Sequence, residues 1–215
     1  MPECESTQAL LDPAMPEWAV ATTDHQTAGR GRLGRRWVDA PGSSVLVSVL
    51  LKPPAGRNPA ELTLVAGLAV AEVVERALSR AAQIKWPNDV LVDGRKVSGG
   101  LADLRDGAVV LGVGVNVNQS VLPETRLPAA SLRTFDGRVR KIPPLLDDLL
   151  ITLRSRYDVW RDRGLAALHG EIAARDVLRG RRVTVGGKTG IAVGIRPDGR
   201  LELDSGLVDS GEVTF

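Results

Sequence analysis

"KWPNDVLVDGRKVSGGLADLRDGAVVLGVGVNVN", Lys85–Asn118, is where strand, turn and strand are written most plainly. Val90–Val92 and Lys96–Val97 flank Asp93-Gly94, and Asp-Gly between apolar runs predicts a tight hairpin. Further on, "AVVLGVGVNVN" alternates valine with glycine or asparagine. Side chains alternate across a strand, so Gly112, Gly114, Asn116 and Asn118 share one face. That face carries almost no bulk, which marks the close approach of a ligand or of another backbone.

Working outward, "SSVLVSVLLK" (Ser43–Lys52) is apolar, β-branched and bounded by Pro-Gly and Pro-Pro, so it reads as a buried strand. "NPAELTLVAGLAVAEVVERALSR" has Asn58 as N-cap, Pro59 in the first turn and apolar residues at helical spacing. "EWAVATTDHQ" reads as a strand entering a glycine-arginine loop. "STQALL" reads as a short helix with Ser6 as N-cap, stopped by Pro13 and Pro16. Residues 119–143, with Pro123, Pro128, Pro143 and Pro144, read as loop. "PLLDDLLITLRSRYDVWRDRG" reads as a second amphipathic helix ending near Gly164. After about Arg175, short strands are separated by Gly-Gly, Pro-Asp-Gly and Ser-Gly turns, a small β-barrel pattern. The expected division is 1–174 as the larger α/β (α+β) domain and 175–215 as the barrel.

The 215 residues are 43% hydrophobic, enough for one core of ordinary size with a small appendage. Lys+Arg 28 against Asp+Glu 26 leaves a net charge of +2, too balanced for a general nucleic-acid binder. The single cysteine, Cys4, excludes an intramolecular disulfide. No apolar run is long enough for a membrane span, and the acid-bearing start is no secretory signal. The chain reads as cytoplasmic.

Against that balance, "QTAGRGRLGRRW" (Gln26–Trp37) stands out. Arginine grips phosphate or carboxylate through paired hydrogen bonds, and glycine lets backbone approach a ligand. Alone, the loop reads as a solvated flexible segment. "KWPND" adds a restrained Trp86 and polar Asn88 and Asp89 at a turn, and the hairpin brings Lys96 toward Asp89. With "EST" (Glu5–Thr7) and "GVGVNVN" (Gly112–Asn118), the inventory suits an acid and a nucleotide. There is no G-x-x-x-x-G-K-[ST] and no Rossmann turn. His25 and His169 are isolated and read as structural, and Cys4 has no evident base partner.

In this order the motifs resemble those of the biotin protein ligases. The family carries an S-T-N-like start, Q-x-A-G-R-G-R-x-G-R-x-W, K-W-P-N-D, a K-[LV]-x-G segment and a G-x-G-x-N strand. Here these are Ser6-Thr7-Gln8, Gln26–Trp37, Lys85–Asp89, Lys96–Gly99 and Gly112–Asn116. The resemblance covers nearly the whole chain and is to the monofunctional type without a DNA-binding domain. It implies a mixed β-sheet flanked by helices, of the kind shared with class II aminoacyl-tRNA synthetases and lipoate ligases, and an SH3-like C-terminal domain. It implies that biotin and ATP, with Mg²⁺, give biotinyl-5′-AMP, and that biotin then passes to a lysine of the biotin carboxyl carrier domain of acetyl-CoA or acyl-CoA carboxylase. No DNA or membrane partner is implied, and members occur as monomers and homodimers.

By the same resemblance, Ser6, Thr7, Gln8, Gln26, Gly29, Arg30, Lys96, Gly99, Gly112 and Gly114 hold biotin. Arg30, Gly31, Arg32, Trp37, Lys85, Asn88 and Asn116 serve the nucleotide, Trp37 by anchoring the loop's end rather than by stacking on the substrate. Arg30, Arg32, Lys96 and Asp89 take the catalytic roles: three cations offset the repulsion between carboxylate and phosphate, and Asp89 orients or deprotonates the incoming lysine. No dedicated protein metal site is expected, since Mg²⁺ arrives with ATP. Two departures stand out: Gln8 replaces the commoner Asn, and Gly100 stands where an apolar β-branched residue is usual. The competing readings are a lipoate or octanoate ligase, a nucleic-acid module using the arginine cluster, and an inactive ligand-sensing relative.

Overall fold

The computed structural model describes residues 1–122 and 127–215. Its larger unit is a six-stranded sheet with strand order β1-β2-β6-β5-β4-β3. The strands are β1 (Val20–Thr22), β2 (Ser44–Leu51), β3 (Gln83–Lys85), β4 (Asp89–Val92), β5 (Arg95–Arg105) and β6 (Ala108–Asn116). Every pairing between them is antiparallel. Among the described residues, parallel pairing enters only at isolated bridges, Cys4–Gln26, Ile84–Asp176 and Lys96–Ala129.

The expected hairpin is present, with Asp93 (φ 47°) and Gly94 (φ 72°) in the left-handed region that this turn requires. A second turn of the same kind, Asp106-Gly107, joins β5 to β6. β5 therefore runs on through Ser98–Arg105, beyond the Lys96–Val97 segment read as strand from sequence.

The two faces of the sheet differ in kind. On one, Val45, Val47, Val49 and Leu51 of β2 lie beside Val109, Leu111, Val113 and Val115 of β6, all buried in the main core. Each such side chain contributes roughly 1.5–3 kcal/mol when taken out of water. That face is covered by α1 (Leu62–Leu78) and α3 (Ile142–Arg163). Asn58 accepts from Ala60 N at the turn entering α1, and Gly164 (φ 79°) ends α3. On the opposite face Gly112 and Gly114 point outward, and this face holds the cleft.

Three sequence expectations change. Ser6 stands at the N-cap of the Thr7–Leu10 turn, yet its side chain makes no capping bond. The strand before the arginine loop shrinks to three residues, because the chain leaves the sheet edge after Thr22. Within 119–143, a short helix α2 (Leu132–Asp136) forms and α3 begins at Ile142. The capping-box pair Ser131 and Thr134 starts α2 and Gly137 (φ 73°) stops it. Pro123 lies outside the described residues.

After α4 (His169–Ala173), the C-terminal unit is a five-stranded antiparallel sheet in the order β10-β9-β8-β7-β11. Its strands are β7 (Arg182–Val185), β8 (Lys188–Ile195), β9 (Leu201–Leu203), β10 (Gly206–Val208) and β11 (Val213–Thr214). It is joined to the larger sheet by backbone: Ile84 N donates to Arg175 O at 2.7 Å and Val177 N to Ile84 O at 3.1 Å. Trp86 Nε1 donates to Gly199 O at 2.9 Å across the same seam. No helix among the described residues is long and apolar enough to cross a membrane.

Candidate active site

The glycine face of β6 floors a cleft of about 230 Å³. Among the described residues its walls include the Thr7–Leu10 turn, the Gln26–Trp37 loop, the β3–β4 corner with β5, Leu122, Leu127 and Ala129, and the residues around β11.

At one end, Thr7 is fixed from three sides. Its backbone N–H and its hydroxyl both reach Gln26 Oε1, at 2.9 and 3.2 Å. Its Oγ1 lies 2.8 Å from Ser48 Oγ, a fully buried hydroxyl on β2. Because Gln26 Oε1 can only accept, the Thr7 hydroxyl donates to it and Ser48 donates to Thr7. The Gln26 amide nitrogen then remains as a donor. Gln8 lies over Gly112, where a Cβ would meet the Gln8 amide nitrogen at 3.1 Å. Its Nε2 donates to Leu101 O and Val110 O, at 3.1 and 3.3 Å. Trp37 covers Gly114, whose Cβ would lie 2.5 Å from the indole ring.

These two neighbours each bury one polar atom without a partner among the described residues: Gln8 Oε1, an acceptor, and Trp37 Nε1, a donor. Buried polar atoms are normally satisfied, so an orphaned acceptor and an orphaned donor on two residues that lie over the glycine face suit a ligand offering both partners.

The other end is cationic. Lys96 Nζ sits 2.6 Å from Asp89 Oδ1. Gly99 makes room for that pair, since a Cβ there would lie 3.1 Å from Nζ and 3.3 Å from Oδ1. Lys85 is buried in the cleft wall, and burial pushes its ammonium below the ordinary lysine value while Asp89 opposes the shift. Burial likewise lowers Arg32, again opposed by Asp89. Arg32 Nη1 donates to Asn88 Oδ1 at 3.2 Å, and Asn88 Nδ2 donates to Gly100 O at 2.9 Å. Cations held half-desolvated in a cleft are primed for an anion. Asn116 also lines the cleft and donates its amide to Ala130 O at 3.2 Å.

The four arginines of the loop do not form one basic stripe. Arg30 lies 3.7 Å from Asp103, Arg32 reaches Asn88, Arg35 pairs with Glu212 at 2.8 Å, and Arg36 donates to Thr27 O at 2.7 Å. A nucleic-acid backbone needs aligned free cations, and this arrangement does not offer them.

Of the residues expected at the acid, Ser6, Thr7, Gln8, Gln26, Arg30, Lys96, Gly99, Gly112 and Gly114 come together around the cleft. Gly29 does not line it: a Cβ there would meet Trp37 O at 2.6 Å, so Gly29 lets the two limbs of the loop touch. Gly31, Arg32, Trp37, Lys85, Asn88, Asp89 and Asn116 line the cleft as well. His25 bonds Asp39 and His169 bonds Ile195 O, both away from the cleft. Sequence reading missed Ser48, although a lone polar residue inside "SVLVSVLL" was a usable signal. It also missed Glu212 and Phe215, which tertiary packing of the second sheet brings to the cleft mouth. Among the described residues, no group of three or more His, Cys, Asp or Glu could hold a metal ion.

A model of the Biotin/lipoate A/B protein ligase family matches residues 5–120. The chain is 37% identical over 209 residues to the biotin–[acetyl-CoA-carboxylase] ligase of Mycobacterium tuberculosis, covering 90% of this chain and 77% of that one. It is 33% identical over 174 residues to the bifunctional ligase/repressor BirA of Bacillus subtilis, covering 76% of this chain and 53% of that one. The chain thus spans about half the length of that relative. The fold matches the biotin protein ligase of Aquifex aeolicus in complex with biotin and ATP at TM-score 0.90 and 30% identity, over 100% of this chain and 96% of the other.

Proposed function

The chain belongs to the biotin/lipoate A/B protein ligase family, and from that premise we propose that it is an ATP-dependent biotin ligase. It makes biotinyl-5′-AMP and passes biotin to one lysine of a biotin carboxyl carrier domain in the cytoplasm. The observation that carries the choice of acid is that the two residues lying over the glycine face, Gln8 and Trp37, each bury an unpartnered polar atom, Oε1 and Nε1. A ureido group has both N–H donors and a carbonyl acceptor, so it satisfies the acceptor and the donor together. The dithiolane of lipoate offers neither.

In the first step a carboxylate oxygen of biotin attacks the α-phosphorus of ATP. The new O–P bond forms as the bond to the β-phosphate oxygen breaks, and pyrophosphate leaves. Arg30, Arg32, Lys85 and Lys96 reduce the repulsion between the two anions, and the cleft holds them in line. Asp89 and Glu212, the carboxylates of this end, each face a cation. With both engaged, a magnesium ion would be brought by ATP itself and would offset part of the phosphate charge. In the second step a neutral carrier lysine attacks the acyl carbon, the C–O bond to AMP breaks and AMP leaves, and the amine's proton passes to Asp89. Phosphate draws Lys96 away from Asp89, and Asp89 then holds the incoming amine. Residues 1–174 form the catalytic unit in this reading, and 175–215 an SH3-like unit at its phosphate end.

The test is incubation of folded protein with ATP, Mg²⁺ and an apo carrier domain, supplying biotin, lipoate or octanoate in parallel. Biotin alone is expected on the carrier lysine. Transfer of lipoate instead, or of no acid, overturns the reading.

A further inference from the structure

The Thr7–Leu10 turn carries the acid end of the cleft: Gln26 and Ser48 hold Thr7, and Leu101 O and Val110 O hold the Gln8 amide, but the turn's own backbone adds little. It is a single 3-10 turn, its N-cap Ser6 makes no side-chain bond, and the chain is extended again at Leu11. So short a turn has no stability of its own. Its carbonyls are taken up from below by Arg105, the last residue of β5: Nη1 donates to Gln8 O at 3.0 Å and to Leu11 O at 3.2 Å. The rest of the guanidinium is fixed by Asp103, whose Oδ2 accepts from Nε at 3.1 Å and from Nη2 at 2.7 Å. Asp103 and Arg105 stand two apart on one face of β5, so the strand's own pleat sets the pair. The same Asp103 oxygen lies 3.7 Å from Arg30 Nη1. One carboxylate oxygen thus ties the arginine under the turn to an arginine of the loop above the cleft.

We propose that Arg105 is a positioning residue for the acid end, oriented by Asp103. It sets the height of Thr7 and Gln8 over β6, and through Asp103 it couples that turn to Arg30. The planar fork is needed because one group must serve two carbonyls and a carboxylate at once; a lysine ammonium reaches fewer of them. The identity of the acid rests on the biotin ligase reading, whereas the clamp itself does not.

The experiment compares wild type with Arg105→Gln, Arg105→Lys and Asp103→Asn. Adenylation is measured with biotin and ATP varied separately, and hydrogen exchange is followed at residues 7–10. Arg105→Gln is expected to raise the biotin KM about tenfold or more, the scale of lost charge-assisted hydrogen bonds, with the ATP KM within about twofold. Arg105→Lys recovers part of the loss, and Asp103→Asn shifts biotin KM in the same direction by less. Exchange at Ala9, whose N–H closes the turn onto Ser6 O, is expected to accelerate in Arg105→Gln without ligand. Equal changes in both KM values, or none, overturn the positioning role. If wild type makes no adenylate, the functional reading fails, and unchanged exchange at Ala9 in Arg105→Gln overturns the clamp independently.

Discussion

Adding one methyl group at Gly114 tests how the cleft is shaped. Gly114 lies in the middle of the sheet, paired to Leu46 on one side and Gly99 on the other, so its backbone cannot yield. A Cβ there falls 2.5, 2.6 and 2.8 Å from three carbons of the Trp37 ring. Carbon contacts want about 3.5–4.0 Å, so the ring must retreat by about 1 Å. Trp37 belongs to a loop tied by its own Trp37 N to Gly29 O bond, and the loop gives way before the sheet does. Overpacking of this kind costs about 1–3 kcal/mol. Because the strain is relieved by opening the loop, it is felt in ligand closure: Gly114→Ala is expected to weaken biotin binding about tenfold to hundredfold, with each ~1.4 kcal/mol worth a factor of ten. Gly112→Ala is milder, since its nearest contact is the Gln8 amide at 3.1 Å. The assay is a biotin titration followed by tryptophan fluorescence, with thermal unfolding as control. Unchanged affinity and unchanged emission in Gly114→Ala refute the placement of Trp37 over the glycine face.

Lys96→Ala is expected to lower biotinyl-AMP formation by ~10²–10³-fold, the scale of losing one group aimed at developing charge, with the melting temperature retained. Lys85 binds fewer protons folded than unfolded at alkaline pH, because burial lowers its value from the ordinary 10.5. Stability of the ligand-free protein therefore rises with pH across the window below 10.5, and Lys85→Met flattens that rise in denaturant titrations. The Arg35–Glu212 pair fastens the loop to the residues before β11, and Glu212→Gln is expected to speed proteolysis within 30–36 by at most about fivefold, since an exposed pair contributes ~0–1 kcal/mol. Added biotin and Mg-ATP should slow that cleavage in both proteins.

What the sequence made legible was local. Asp93-Gly94 announced its hairpin because the left-handed turn has a residue signature. The Gly112/Gly114 alternation announced an open strand face because side chains alternate on a strand. Asn58-Pro59 marked the entry to α1 for the same kind of reason. Less was readable where packing decides. Ser98–Arg105 continues β5 although its apolar pattern is broken by Gly99, Gly100 and Asp103, because β4 and β6 bracket it with backbone hydrogen bonds. The proline density of 119–143 hid the cap signals of α2. Glu212 and Phe215 reach the cleft only because Ile84 and Trp86 hold the second sheet in place. The arginine loop, ambiguous on its own, makes four separate engagements, with Asp103, Asn88, Glu212 and Thr27 O, and all four arginines border the cleft.

In the proposed reaction this cleft joins one acid to one nucleotide. Mass spectrometry under native conditions, after incubation with biotin and Mg-ATP without a carrier, tests it most directly. A retained species of biotinyl-5′-AMP mass, with release of pyrophosphate, is the predicted result. Folded protein that binds biotin yet yields neither adenylate nor pyrophosphate would contradict it.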